Sequence, residues 1–270
     1  IEHLKEGVSK REVWSWAAFD FANSGYTTVV LTAVFNAYFV SVICADASWA
    51  TLLWTSIIAV SNILAIVLMP LIGAATDLKG NKKFWTVLMS ALCIAATVGL
   101  AFTGPGTIVW ALLMVVISNF AYNVGETLNS AFLPEIADER SMGKVSGWGW
   151  SFGYCGGLLT LGLSLALVLV MQSNGAGAED YVPYTMLITA AIFLFAALPL
   201  ALWLKERAVP RSNAAFWPLV KQSQASLVKT FKSLPEHKNF AWLVASGLSF
   251  QGGIAVVVTL AAVYADQAMG

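Results

Sequence analysis

Long apolar runs separated by short polar segments set the pattern of this chain. Seven runs are long enough to cross a bilayer, at roughly 14–43, 49–76, 84–103, 106–131, 145–171, 183–204 and 240–264. A helix rises about 1.5 Å per residue, so about 20 apolar residues span the hydrocarbon core. The first run exceeds that length and is expected to tilt. It lacks the short core and small-residue cleavage site of a secretory signal, so it reads as a retained span. Gly104-Pro105-Gly106 is expected to form a tight turn between the third and fourth runs.

The polar segments are sorted by charge. Lys5, Lys10 and Arg11 precede the first run; Lys79, Lys82 and Lys83 follow the second; Arg140 and Lys144 follow the fourth. Lys205, Arg207, Arg211, Lys221, Lys229, Lys232 and Lys238 follow the sixth. That is all 15 Lys and Arg, on one side of the membrane if every run crosses it. The other side carries only Asp46, Glu179, Asp180 and Asp266. Basic segments mark the cytoplasmic face, so the N-terminus is expected there. A wrong count of spans would scramble the sorting.

Composition agrees. The 270 residues are 58% hydrophobic and 11% charged, against about 25% charged in an ordinary soluble domain. The formal net charge of +0 carries no information about partners, and nothing points to nucleic acid. Cys44, Cys93 and Cys155 are odd in number, widely spaced and set in or beside apolar runs. They are expected to be buried small residues, not a disulfide framework or a metal site. No glycine loop ending in Lys-Ser or Lys-Thr is present, so ATP hydrolysis by this chain is not supported. No cofactor or metal is expected.

Residues 205–239 differ in kind. Phe216, Val220, Leu227, Phe231 and Leu234 fall near helical spacing among lysines, as expected of an amphipathic helix on the cytoplasmic membrane surface. The expected organisation is therefore an all-α membrane protein. Residues 1–204 form a six-helix N-terminal bundle, 205–239 a cytoplasmic linker, and 240–270 the first helix of a C-terminal bundle whose remainder is absent.

Gly73, Asp77, Lys79, Gly80, Lys82 and Lys83, after the second run, resemble the loop between the second and third helices of the major facilitator superfamily. Leu78 stands where that pattern has Arg. Asp77 at a helix end can pair with basic groups or cap a neighbouring helix. Gly80 permits the reversal. The resemblance implies a cytoplasmic gate; a solvated turn is the plainer alternative. Two further stretches narrow it: Trp16 to Thr32, with Asp20-Phe21-Ala22-Asn23-Ser24-Gly25-Tyr26, and Asn129 to Gly157, with Leu133-Pro134-Glu135-Ile136. Together they resemble the branch typified by the fungal vacuolar amino-acid effluxer linked to autophagy, with its bacterial members. The resemblance implies transport of a small-molecule solute, amino acids foremost, by alternating access in a multi-pass membrane protein. That membrane is the inner membrane in a bacterium or the vacuolar membrane in a fungus. It implies no enzyme activity.

Gly149, Gly153 and Gly157 recur every four residues and place small side chains on one helix face, which allows close helix packing. Trp14, Trp16, Trp49, Trp85, Trp110 and Trp203 lie near run ends and read as interfacial anchors.

Two ionisable residues lie well inside runs, Asp20 and Glu126. Each sits roughly 9 Å from the basic end of its span. An intramembrane charge marks a functional site by default. Each is followed by Asn-Ser three and four residues on, Asn23-Ser24 and Asn129-Ser130, so a carboxylate and an amide share a helix face. In a low dielectric a carboxylate can carry a proton, or it can bind a cationic group of a solute; a helix-locking hydrogen bond is the third option. The resemblance places the first and fourth helices around a central cavity. Asp20, Asn23, Tyr26, Asn119, Tyr122, Asn123, Glu126 and Asn129 are therefore the candidate solute and proton residues, with H+ the coupling ion. The competing reading is a transport-inactive scaffold or sensor subunit. A membrane enzyme acting on lipid is a third reading, and it would need acids, His or metal ligands clustered at a membrane surface; Glu135, Asp138 and Glu139 form the only such cluster and lack those partners.

Overall fold

The computed structural model describes residues 4–208 and 238–269, with residues 218, 221, 225, 228, 229, 232 and 233 between them; side chains at 74, 77 and from 255 onward are outside the described set. The chain forms two compact units, Ile1–Ala214 and Ala215–Gly270. In the first, α1 (Lys10–Tyr26) continues through a π-helical segment (Thr27–Ala33), the short α2 (Phe35–Tyr38) and a second π-helical segment (Phe39–Ile43). Then follow α3 (Ala50–Lys79), α4 (Lys82–Leu100), α5 (Ile108–Ser130), the single turn α6 (Leu133–Ile136), α7 (Met142–Ser173) and α8 (Ala178–Trp203). The second unit contains α9 (Lys238–Met269), which carries the seventh apolar run as one helix.

Six segments of the described chain are long and apolar enough to cross a membrane: Lys10–Ile43, Ala50–Gly73, Lys82–Leu100, Ile108–Ile136, Met142–Ser173 and Ala178–Trp203. They match the first six apolar runs. The first is not the regular helix its length suggested. Two wide turns interrupt it, and such turns are rare and concentrate at functional sites.

Local chemistry explains the helix ends. Ser9 and Glu12 form a capping box at the start of α1: the Glu12 amide donates to Ser9 Oγ at 3.3 Å, and the Ser9 amide to Glu12 Oε2 at 2.9 Å. Gly80 ends α3 at φ 62°, the left-handed position glycine occupies without strain. Gly106, at φ 83°, makes the turn between α4 and α5. Glu179 and Asp180 lie in the first turn of α8, where carboxylates offset the helix dipole.

The bundle is held by two apolar clusters. The larger centres on Tyr26, Val29, Phe35, Phe39, Trp54, Met89, Val124, Met186 and Phe193. The smaller lies at the basic end and joins Val13, Trp16, Phe19, Phe132, Ile136, Val145, Leu200 and Leu204. Outward-facing Ile66, Leu158 and Phe195 are each about 70% exposed, as lipid-facing positions should be.

α1 packs most heavily against α7 and α8. Glycine makes the α1–α7 approach possible. A Cβ at Gly149 would lie 2.6 Å from Asp20 Oδ2 and 2.8 Å from the Trp16 ring, and one at Gly153 would lie 2.9 Å from Ser24 Oγ. At Gly157 it would lie 3.1 Å from Thr28 Oγ1. Gly156, outside the four-residue repeat, is tighter still, facing the Phe21 backbone.

Several expectations change. Trp16 is 3% exposed and donates its indole N–H to Asn129 O at 2.8 Å, so it ties α1 to α5 and is not an interfacial anchor. Trp14, half exposed, stacks on Trp148 at 5.9 Å. Cys44 and Cys93 are buried, but Cys155 is exposed. Residues 204–208 lie outside any helix. Leu204 is buried there, and Arg207 Nη2 pairs with Glu12 Oε1 at 2.8 Å. The apolar positions assigned to the linker helix, from Phe216 to Leu234, lie outside the described residues.

Candidate functional site

Three helix faces converge on a cavity of about 250 Å³ near the basic end of the bundle. From α1 come Trp16, Asp20, Asn23 and Ser24, and from the start of the π-helical segment Thr27, one stripe at helical spacing. α5 contributes Tyr122, Glu126 and Ser130, again four apart. α7 contributes Ser146, Trp150, Gly153 and Tyr154, and Leu133 of α6 closes the rim. The same α7 glycines that admit α1 hold Asp20 and Ser24 against this wall.

Asp20 is partly buried and Glu126 is exposed to the cavity. Their carboxylates are close enough for the charges to interact. The Asn129 side chain sits against Asp20, and the Tyr122 hydroxyl against Glu126. Asn23 is 5% exposed, and neither its Oδ1 nor its Nδ2 has a hydrogen-bond partner. An unsatisfied buried amide is costly, and in native structures it calls for an explanation.

The candidate residues thus divide. Asp20, Asn23, Tyr122 and Glu126 line the cavity, with Asn129 behind Asp20. Tyr26 does not; it is fully buried and donates to Ser118 Oγ at 2.7 Å. Asn119 is also excluded. It is 2% exposed and donates to Ser61 Oγ and, at 2.9 Å, to Asn62 Oδ1. Asn123 joins the same α3–α5 cluster, donating to Asn119 O at 2.7 Å and Asn62 Oδ1 at 3.2 Å. Helix periodicity accounts for the split. Asn119 and Asn123 turn toward α3, whereas Tyr122 and Glu126 turn toward α1.

At the basic end, Gly73 and Asp77 lie in the last turns of α3, and Lys79 is exposed beside Gly80. The Asp77 side chain lies outside the described residues. Lys82 Nζ pairs with Glu135 Oε1 at 2.9 Å. Lys83 N donates to Glu206 Oε2 at 2.7 Å, so a carboxylate caps the start of α4.

Sequence reasoning missed Ser24, Thr27, Ser130, Ser146, Trp150 and Tyr154 as cavity residues. A signal existed for the aromatic pair. Trp150 and Tyr154 are four apart, one position after Gly149 and Gly153, so they flank the small-residue face.

Residues 18–270 match the family model described as MFS/sugar transport protein. The chain belongs to this family. The six apolar helices agree, and the protein is an integral, multi-pass membrane protein. A curated relative, the uncharacterized MFS-type transporter YxiO of Bacillus subtilis (strain 168), is 27% identical over 258 residues, 93% of this chain. The chain spans 59% of that relative's length.

Proposed function

We propose that this chain belongs to a secondary active transporter that moves a small polar solute, amino acids foremost, by alternating access. The observation that carries the reading is the cavity itself. Two carboxylates and an unpartnered buried amide converge inside a largely apolar bundle, where polar groups are expensive unless used. Asp20, Asn23, Tyr122 and Glu126 contact the solute, and Asn129 positions Asp20. H+ is the coupling ion, exchanged at Asp20 and Glu126. The sorted basic segments put the N-terminus and the Lys82–Glu135 pair on the cytoplasmic side, where the loop from Gly73 to Lys83 gates access. The resemblance to the fungal effluxer branch supports amino acids and efflux.

The test is uptake and counterflow of a labelled amino-acid mixture in proteoliposomes made from the complete reading frame, with and without an imposed pH gradient. Saturable, gradient-driven flux is expected. Absence of flux from folded, correctly oriented protein would favour the scaffold reading.

A further inference from the structure

We infer that the cavity selects an organic cation, a basic amino acid or an amine, over neutral and anionic solutes of similar size. The inference rests on the proposed function and narrows it to one solute class. Both charged side chains among the described lining residues are acids, Asp20 and Glu126, and no Lys, Arg or His stands among those residues. Arg207 and Lys82 are committed to Glu12 and Glu135. Nor do the backbone amides of α1, α5 and α7 replace a missing cation. Their lining positions lie beyond the first four residues of each helix, so the N–H groups are used within the helix. A solute with net negative charge would therefore meet two like charges in a low dielectric, with no cation among the described lining residues to offset them.

The remaining wall is aromatic. Trp150 and Tyr154 are 58% and 65% exposed, with ring centroids 6.1 Å apart and planes tilted by 55°. They line the same cavity as the acids, together with Tyr122 and Trp16. Aromatic faces attract cations. Asn23 supplies a further group: it lines the cavity, is buried, and has no partner at either amide atom. Its Oδ1 accepts from an ammonium N–H that the acids attract, and its Nδ2 donates to a solute oxygen. The volume of about 250 Å³ suits one small molecule.

Equilibrium binding of labelled lysine, putrescine, leucine, glutamate and glucose to the purified full-length protein tests this, alongside uptake into proteoliposomes. Lysine and putrescine should bind about tenfold more tightly than the other three. Asp20→Asn and Glu126→Gln should each erase most of that preference, and Trp150→Ala should weaken lysine more than Trp150→Phe does. Equal affinity for leucine, glutamate or glucose in the unaltered protein overturns the inference whatever the variants do. So does a preference that survives the Asp20→Asn, Glu126→Gln double variant. Saturable uptake of leucine or glucose without charge preference would sink the cation class and leave the transporter reading standing. If folded protein neither binds nor carries any of the five, both fail.

Discussion

Two polar clusters sit inside this apolar bundle, built from nearly the same residue types and closed to different degrees. Between α3 and α5, Ser61, Asn62, Asn119 and Asn123 hydrogen-bond to one another and to nearby carbonyls. Between α1, α5 and α7, Asp20 and Glu126 face an open cavity and both side-chain atoms of Asn23 stay unpartnered. A polar group in a membrane interior needs a partner. Where protein supplies it, the group locks helices; at Asn23, where protein withholds it beside a cavity, the proposal is that the group awaits a ligand. Residue type does not tell the two apart. Partnering does.

The strongest way to break the contrast is to fill the open cluster. Gly149→Val would drive side-chain atoms onto Asp20 and the Trp16 ring. Uptake should fall to background, and overpacking should cost about 1–3 kcal/mol, read as a lower melting temperature in detergent. Asp20→Asn comes next. It keeps the shape and removes the charge, so uptake should fall at least about tenfold, with loss of about 1.4 kcal/mol of binding or transition-state free energy. The melting temperature should move by less than about 2 °C; a larger fall would make Asp20 a structural residue.

A crossed pair sharpens the comparison. Asn119→Ala should lower stability by about 1 kcal/mol, the worth of an interhelical hydrogen bond in a membrane, while uptake per folded molecule is unchanged. Asn23→Ala should do the reverse. It removes no protein partner, so thermal stability should hold while the apparent solute KM rises about fivefold. Equal behaviour of the two would erase the distinction. Smallest is Asn62→Ala, at an exposed position of the closed cluster, with an expected cost of about 0.6 kcal/mol in denaturation and no change in uptake.

The membrane architecture was legible without coordinates. Apolar runs of the right length mark the six spans, because backbone groups in lipid must be bonded within a helix, and the basic residues punctuate them. The glycine stripe from Gly149 to Gly157 and the intramembrane acids Asp20 and Glu126 were visible for the same reason: each departs from what lipid tolerates or a helix prefers. Which neighbour each residue meets was not legible. Tyr26 and Tyr122 read alike, yet one is sealed against Ser118 and the other opens on the cavity. Trp16 read as an anchor and is a strut to Asn129. Nor was the pairing of Glu135 with Lys82, 53 residues away, legible.

The chain alone therefore determined that this protein spans a membrane, where its helices run and which polar residues are costly enough to matter. Those properties follow from the solvent, which acts on each segment separately. Only the tertiary structure decided which costly residues satisfy one another and which remain open, because partnering depends on the rotation of α3, α5 and α7 about α1. A turn of about 100° per residue sends adjacent side chains such as Tyr122 and Asn123 to different neighbours.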